Sequence, residues 1–199
     1  MPVTVDTRGM ACPQPVVRTR RALKTEDKVV AIVDNETSQH NVTRMAQKRG
    51  YTVQVETHDD GIYLHIGRDA SAAPVSAPQM QTSTPAGDLL VLFVSSELMG
   101  RGEHEELGRM LMRGFLHTLG EVDSLPQVII FINSGVKLVI RDSPVAEDLR
   151  SLGERGIEIL VCGACLDYYG LKDQVAVGQV SNAYTIAETL LGAGKVLNL

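Results

Sequence analysis

Three cysteines are all that 199 residues carry. That is an odd number and too few for a disulfide framework, so each is expected to be a free thiol unless it has chemistry to perform. A basic excess is missing as well. The formal charge is -5 and the isoelectric point about 5.5, which argues against nucleic acid as the main partner, because a polyanion is met by a basic surface. No apolar run approaches the roughly 20 residues that span a bilayer, and the opening Met1-Pro2-Val3-Thr4 lacks a charged and then hydrophobic leader. These absences predict a soluble, cytoplasmic protein with no membrane partner. The 44% of residues that are hydrophobic suffice to bury a core in one ordinary domain or two small ones.

The composition changes between Arg68 and Gly87, where Ala, Ser, Pro, Gln and Thr dominate, Pro74, Pro78 and Pro85 interrupt, and no apolar period survives. This predicts a flexible linker at 68–87, too long for a loop inside a compact domain, with domains at 1–67 and 88–199. The first domain reads as a short strand near Val3 to Asp6, a helix from Pro13 to about Leu23, the apolar strand Lys28 to Asp34, a helix from Ser38 to Arg49 and a hairpin about His58-Asp59-Asp60-Gly61. The order βαβαββ predicts a two-layer sandwich.

Three apolar strands of the second domain, Asp88 to Ser95, Gln127 to Asn133 and Ile157 to Val161, alternate with helices. The helices are expected at Glu103 to Leu119, with Leu107, Met110, Leu111 and Phe115 on the buried face, at Pro144 to Arg155 and at Ser181 to Leu191. A short strand is expected near Gln174 to Val177. Strands apolar on both faces between helices predict a parallel sheet covered on each side. The fold class is therefore α/β in both halves.

Ala11-Cys12-Pro13-Gln14-Pro15 stands between the first strand and first helix, which puts Cys12 at or beside the helix N-cap. Proline is tolerated there because the amides of the first turn have no intrahelical partner. The expectation is a stiff turn that holds the sulfur outward, with the Gln14 and Val16 amides near it and the positive end of the helix favouring thiolate. A buried structural cysteine is the bland alternative. Arg18, Arg20, Arg21 and Lys24 crowd the same helix, either as a docking face for an acidic protein or as a plain solvated face.

Asp6-Thr7-Arg8-Gly9-Met10-Ala11-Cys12-Pro13-Gln14-Pro15-Val16, with Val33-Asp34-Asn35 further on, resembles the signature of the TusA (SirA-like) sulfur carriers. The resemblance implies that Cys12 bears a persulfide and that Asp6, Gly9, Pro13 and Pro15 shape its loop.

Cys162-Gly163-Ala164-Cys165 follows directly on the third apolar strand, and ligand sites of open α/β sheets gather at the carboxyl ends of strands. Ser95, Ser96, Glu97, Asn133, Ser134, Ser181 and Asn182 should share that edge as a polar pocket around a thiol-bearing loop. A redox dithiol and plain packing both remain open readings. Zinc would need two further ligands, and neither a second cysteine pair nor a nearby histidine pair exists. The five histidines are scattered, and Gly100-Arg101-Gly102 is no Walker loop or dinucleotide fingerprint, so no metal or cofactor is expected.

Met99-Gly100-Arg101-Gly102, Glu106-Leu107-Gly108, Asn133-Ser134-Gly135-Val136 and Cys162-Gly163-Ala164-Cys165-Leu166-Asp167-Tyr168-Tyr169 make this half similar to the DsrE/DsrF-like domains, sulfur-relay proteins of flavodoxin-like fold. The two halves together resemble the YedF family of selenium-metabolism sulfurtransferase-like proteins. That resemblance implies a persulfide or perselenide carrier working through Cys12, with Cys162 and Cys165 as further thiols and Asn133 and Asn182 in support. It implies a desulfurase-type donor and an acceptor protein as partners, and a homo-oligomer through the C-terminal domain. A dithiol redox protein and a non-catalytic regulatory or binding module are the alternatives.

Overall fold

The computed structural model describes residues 2–11, 13–68 and 89–199. Cys12 and, apart from Arg68, the expected linker lie outside the described residues. The chain divides into two compact units, and each has its own apolar core.

In the N-terminal unit, β1 (Val3–Asp6), α1 (Gln14–Ala22), β2 (Lys28–Val33), α2 (Glu36–Gln47), β3 (Thr52–His58) and β4 (Gly61–Gly67) follow in the expected βαβαββ order. The sheet order is β1-β2-β4-β3, with β1 parallel to β2 and the other neighbours antiparallel. His58 pairs with Gly61, leaving Asp59 and Asp60 as a two-residue turn. α2 starts at Asn35, whose side-chain oxygen accepts the Ser38 N–H at 2.9 Å, satisfying one of the amides a helix start leaves unpaired. Val16, Val42, Met45 and Ala46 of the helices meet Val29, Ala31, Val33, Leu64 and Ile66 of the sheet, and all are buried. Alternate residues of β2 and β4 thus face the helices, as period-two alternation requires.

The C-terminal unit contains β5 (Leu90–Val94), α3 (Glu105–Leu119), β6 (Val128–Phe131), α4 (Ala146–Glu154), β7 (Glu158–Cys162), α5 (Gly163–Tyr169), β8 (Gln179–Ser181), α6 (Ala183–Leu191) and β9 (Lys195–Asn198). All five strands pair parallel in the order β8-β7-β6-β5-β9, and helices cover both faces. Ile129, Ile130, Phe131, Leu160 and Val161 have no exposed surface, which is why β6 and β7 read as unbroken apolar runs.

Several local expectations are corrected. The thiol-bearing segment is not a loop: Cys162 ends β7 and Cys165 lies in the first turn of α5. Asn133–Val139 forms a 3-10 helix where no element was expected. The strand expected near Gln174 to Val177 is instead a 3-10 turn at Lys172–Gln174, with β8 following at Gln179–Ser181. β9 was not foreseen, and it occupies the sheet edge beside β5.

The buried face of α3 is also one residue away from the one expected. Gly108, Met112, Leu116 and Leu119 are buried, whereas Leu107, Met110 and Leu111 are exposed and Phe115 is half-buried. Gly108 explains the choice, because a Cβ there would stand 3.1 Å from Leu98 Cβ. A glycine lets the helix approach closely on the side with the smallest side chain.

Candidate functional site

The first candidate region is the turn between β1 and α1. Thr7 is buried, and both its N–H and its hydroxyl donate to the Ile32 carbonyl, at 2.9 and 2.7 Å. Arg8 spans two acids: its guanidinium meets Asp6 Oδ2 at 2.7 Å and Asp60 Oδ2 at 2.8 Å. Tyr63 donates its hydroxyl to the same Asp60 oxygen at 2.8 Å. Gly9 adopts φ 70°, a region that glycine enters without a Cβ penalty, and its N–H donates to Asp34 Oδ2 at 2.5 Å. Asn35 clamps Asp34 from the other side through Nδ2 at 2.7 Å.

The charges follow from these contacts. Hydrogen bonding from Arg8 holds the Asp6 carboxyl below the usual carboxylate range, and the Gly9 N–H does the same for Asp34. The Tyr63 hydroxyl lowers Asp60, and the carboxylate pushes the phenol up in return. Each is a case of a hydrogen bond favouring the charged acceptor.

Downstream, the N-cap of α1 is Pro13, and Pro15 is buried within the first turn. The Gln14 N–H donates to the Ala11 carbonyl at 3.0 Å, which corrects the expectation that this amide stays free for a sulfur. Arg18, Arg21 and Lys24 are exposed and Arg20 is half-buried. Arg20 and Arg21 occupy the last turn of α1, where positive charge complements the helix dipole.

The second region lies at the carboxyl ends of β5, β6 and β7. Cys162 is 8% exposed and is the N-cap of α5, where its side chain makes no capping hydrogen bond. Burial pushes the Cys162 thiol up to about 11, and the neighbouring Cys165 side chain acts in the same direction. It is therefore a thiol at neutral pH. Cys165 is half-buried, and its Sγ accepts the Asn133 N–H at 3.1 Å.

Asn133 is the one non-glycine with positive φ, 49°, among the described residues. That turn is what aims its amide at the sulfur. The Tyr169 hydroxyl donates to Asn133 Oδ1 at 3.1 Å. The Lys137 ammonium sits 5.3 Å from the Tyr169 ring centroid and 2.7 Å from Glu97 Oε1. Gly135 is required below them, since a Cβ there would stand 2.6 Å from the Val94 carbonyl oxygen.

The expected polar pocket is thus only partly assembled. Asn133 reaches Cys165, and the Glu97 N–H donates to Ser134 Oγ at 3.3 Å. Ser95 turns to the Leu199 carbonyl at 3.2 Å, and Ser96 closes its own loop on the Leu98 N–H at 2.9 Å. Ser181 pairs in register with Cys162, and its Oγ is buried with no hydrogen-bond partner among the described residues. Asn182 is buried at the start of α6. Among the described residues no group of three or more His, Cys, Asp or Glu is placed to hold a metal ion. The pairings of Arg8 with Asp60 and of Lys137 with Glu97 were missed. Their partners lie 52 and 40 residues apart, beyond any local spacing rule.

Comparison with known proteins adds the family. The Sulfurtransferase TusA model matches residues 3–68, and the DsrE/DsrF-like family model matches residues 92–199. Among solved structures, a SirA-like protein from Desulfitobacterium hafniense is 35% identical over 32% of this chain and 93% of its own, with a TM-score of 0.30. The YchN protein of E. coli is 16% identical over 56% of this chain and 99% of its own, with a TM-score of 0.44. A protein from Methanobacterium thermoautotrophicum is 15% identical over the same shares, with a TM-score of 0.41. No curated protein matches. With more than half its residues under the second of these models, the chain belongs to the DsrE/DsrF-like family and carries a TusA domain ahead of that region.

Proposed function

We propose that the chain relays activated sulfur, or selenium at the same oxidation level, with Cys12 as the carrier. Both of its families belong to sulfur transfer and relay. Cys12 takes the atom as a persulfide or perselenide from a desulfurase-type donor protein and delivers it to an acceptor by thiol exchange. The 68–87 segment tethers the 1–67 carrier to the 88–199 domain, so that delivery to the second domain runs at an effective concentration set by tether length. The selenium-metabolism setting of the YedF family, a cytoplasmic location and assembly through the C-terminal domain belong to the same reading.

The observation that supports it is the pinned turn ahead of residue 12. Gly9 is tied to Asp34, Arg8 to Asp6 and Asp60, and Pro13 and Pro15 follow. These ties hold the described residues on either side of position 12, so those residues lose little conformational entropy when a partner docks. The test is to incubate the full chain with a cysteine desulfurase and cysteine, then map added sulfur by peptide mass spectrometry. Added sulfur on Cys12, and its disappearance in Cys12→Ser, is the expected result. Loading that ignores the substitution ends the relay reading.

A further inference from the structure

We propose that Cys162 and Cys165 form a persulfide-reducing pair, in which Cys165 receives the sulfane sulfur and Cys162 expels it as hydrosulfide. This rests on the relay reading for the source of the sulfur, and it adds a reaction the relay does not contain.

The division of labour follows from position. Cys165 is the more accessible of the two, in the first turn of α5, and the Asn133 N–H donates to its sulfur at 3.1 Å. That hydrogen bond holds the Cys165 sulfur in place at the carboxyl end of the sheet. Cys162 ends a buried strand and keeps its proton. An incoming donor therefore meets Cys165 first, and Cys162 stands behind it.

The placement of the two residues selects the second step: Cys162 ends β7 as the N-cap of α5, and Cys165 lies three residues on in its first turn. Residues three apart at a helix start are neighbours, so Cys162 stands beside the Cys165 Sγ, which becomes the inner sulfur of a Cys165 persulfide. Attack there displaces the outer sulfur, whereas attack on the outer sulfur would only move the persulfide from one residue to the other. Loading is Cys165-S⁻ plus R-S-SH giving Cys165-S-S⁻ plus R-SH. Release is Cys165-S-S⁻ plus Cys162-SH giving the Cys162–Cys165 disulfide plus HS⁻. The Cys162 thiol supplies the proton that leaves on sulfur, the two cysteine sulfurs are oxidised to the disulfide, and the sulfane sulfur is reduced. A dithiol reductant restores the pair by exchange. The same balance holds for selenium, with hydroselenide leaving.

The full chain, reduced and freed of reductant, is treated with one equivalent of cysteine hydropersulfide. Hydrosulfide is trapped with a bimane reagent, and the thiols are mapped by peptide mass spectrometry. The expected result is hydrosulfide and a Cys162–Cys165 disulfide in equal amounts. In Cys162→Ser and Cys162→Ala the added sulfur stays on Cys165 and release is lost, and in Cys165→Ser neither disulfide nor release occurs. Release that continues in both Cys162 variants, or hydrosulfide from the unaltered chain without the disulfide, overturns the proposal. The second of these results needs no variant and so does not depend on a variant folding. Repeating the series in a Cys12→Ser chain removes the relay step. Failure of desulfurase loading at Cys12 and failure of reduction at the pair are then seen separately.

Discussion

Two thiols three residues apart differ in surroundings more than in sequence. Cys162 is enclosed and pushed up to about 11, while Cys165 is half-buried beside the Asn133 amide. Alkylation tracks thiolate and exposure. At neutral pH, Cys165 should therefore be labelled by iodoacetamide well before Cys162, with Cys162 gaining rate only as the pH approaches 11. Time-resolved peptide mass spectrometry reads both rates, and equal labelling would contradict the burial assignment. At Asp34 the Gly9 N–H lowers the carboxyl below its unfolded value, about 3.9 for aspartate. Stability from this group is present above the unfolded value and is lost as pH falls through the folded one. Asp34→Asn should remove that contribution, lowering the denaturant midpoint at neutral and alkaline pH and flattening its acid limb.

α3 shows how an element is placed by what it rests on. Its sequence carries two apolar stripes one residue out of phase, Leu107-Leu111-Phe115 and Gly108-Met112-Leu116. Large side chains favour the first on paper. The helix instead rests on the second, because Gly108 faces Leu98 at a distance that admits no added carbon without displacement. Met112→Ala should accordingly cost about 2–5 kcal/mol, as buried large-to-small changes do. Leu107→Ser and Met110→Ser should stay within about 0.5 kcal/mol, as exposed substitutions do. Urea denaturation of the three variants decides between the faces, and the reverse ranking would restore the one first expected.

At the scale of the whole molecule, each unit closes its own core, Leu64 being fully buried in one and Leu160 in the other. Leu64→Ala and Leu160→Ala should each remove on the order of 2–5 kcal/mol. Hydrogen exchange localises the loss: protection should fall in the sheet that holds the altered residue and persist in the other. A single shared loss across both sheets would show one cooperative unit.

The alternation of apolar runs with helical periods determined the α/β class and the βαβαββ order of the first unit, because both follow from periods of two and 3.6 along a local stretch of chain. The proline-flanked Cys12 and the Cys162 to Cys165 spacing were equally local, and so were legible as motifs. Only the tertiary structure decided that Cys162 is enclosed while Cys165 meets Asn133, 32 residues away, or that Arg8 reaches Asp60, 52 residues away. It alone placed β9, whose four residues are all exposed and whose pairing with β5 leaves no apolar run to read. The physical reason is common to all three. Burial, edge pairing and hydrogen bonds between distant segments depend on which surfaces the fold brings together, and no window of neighbouring residues contains that information.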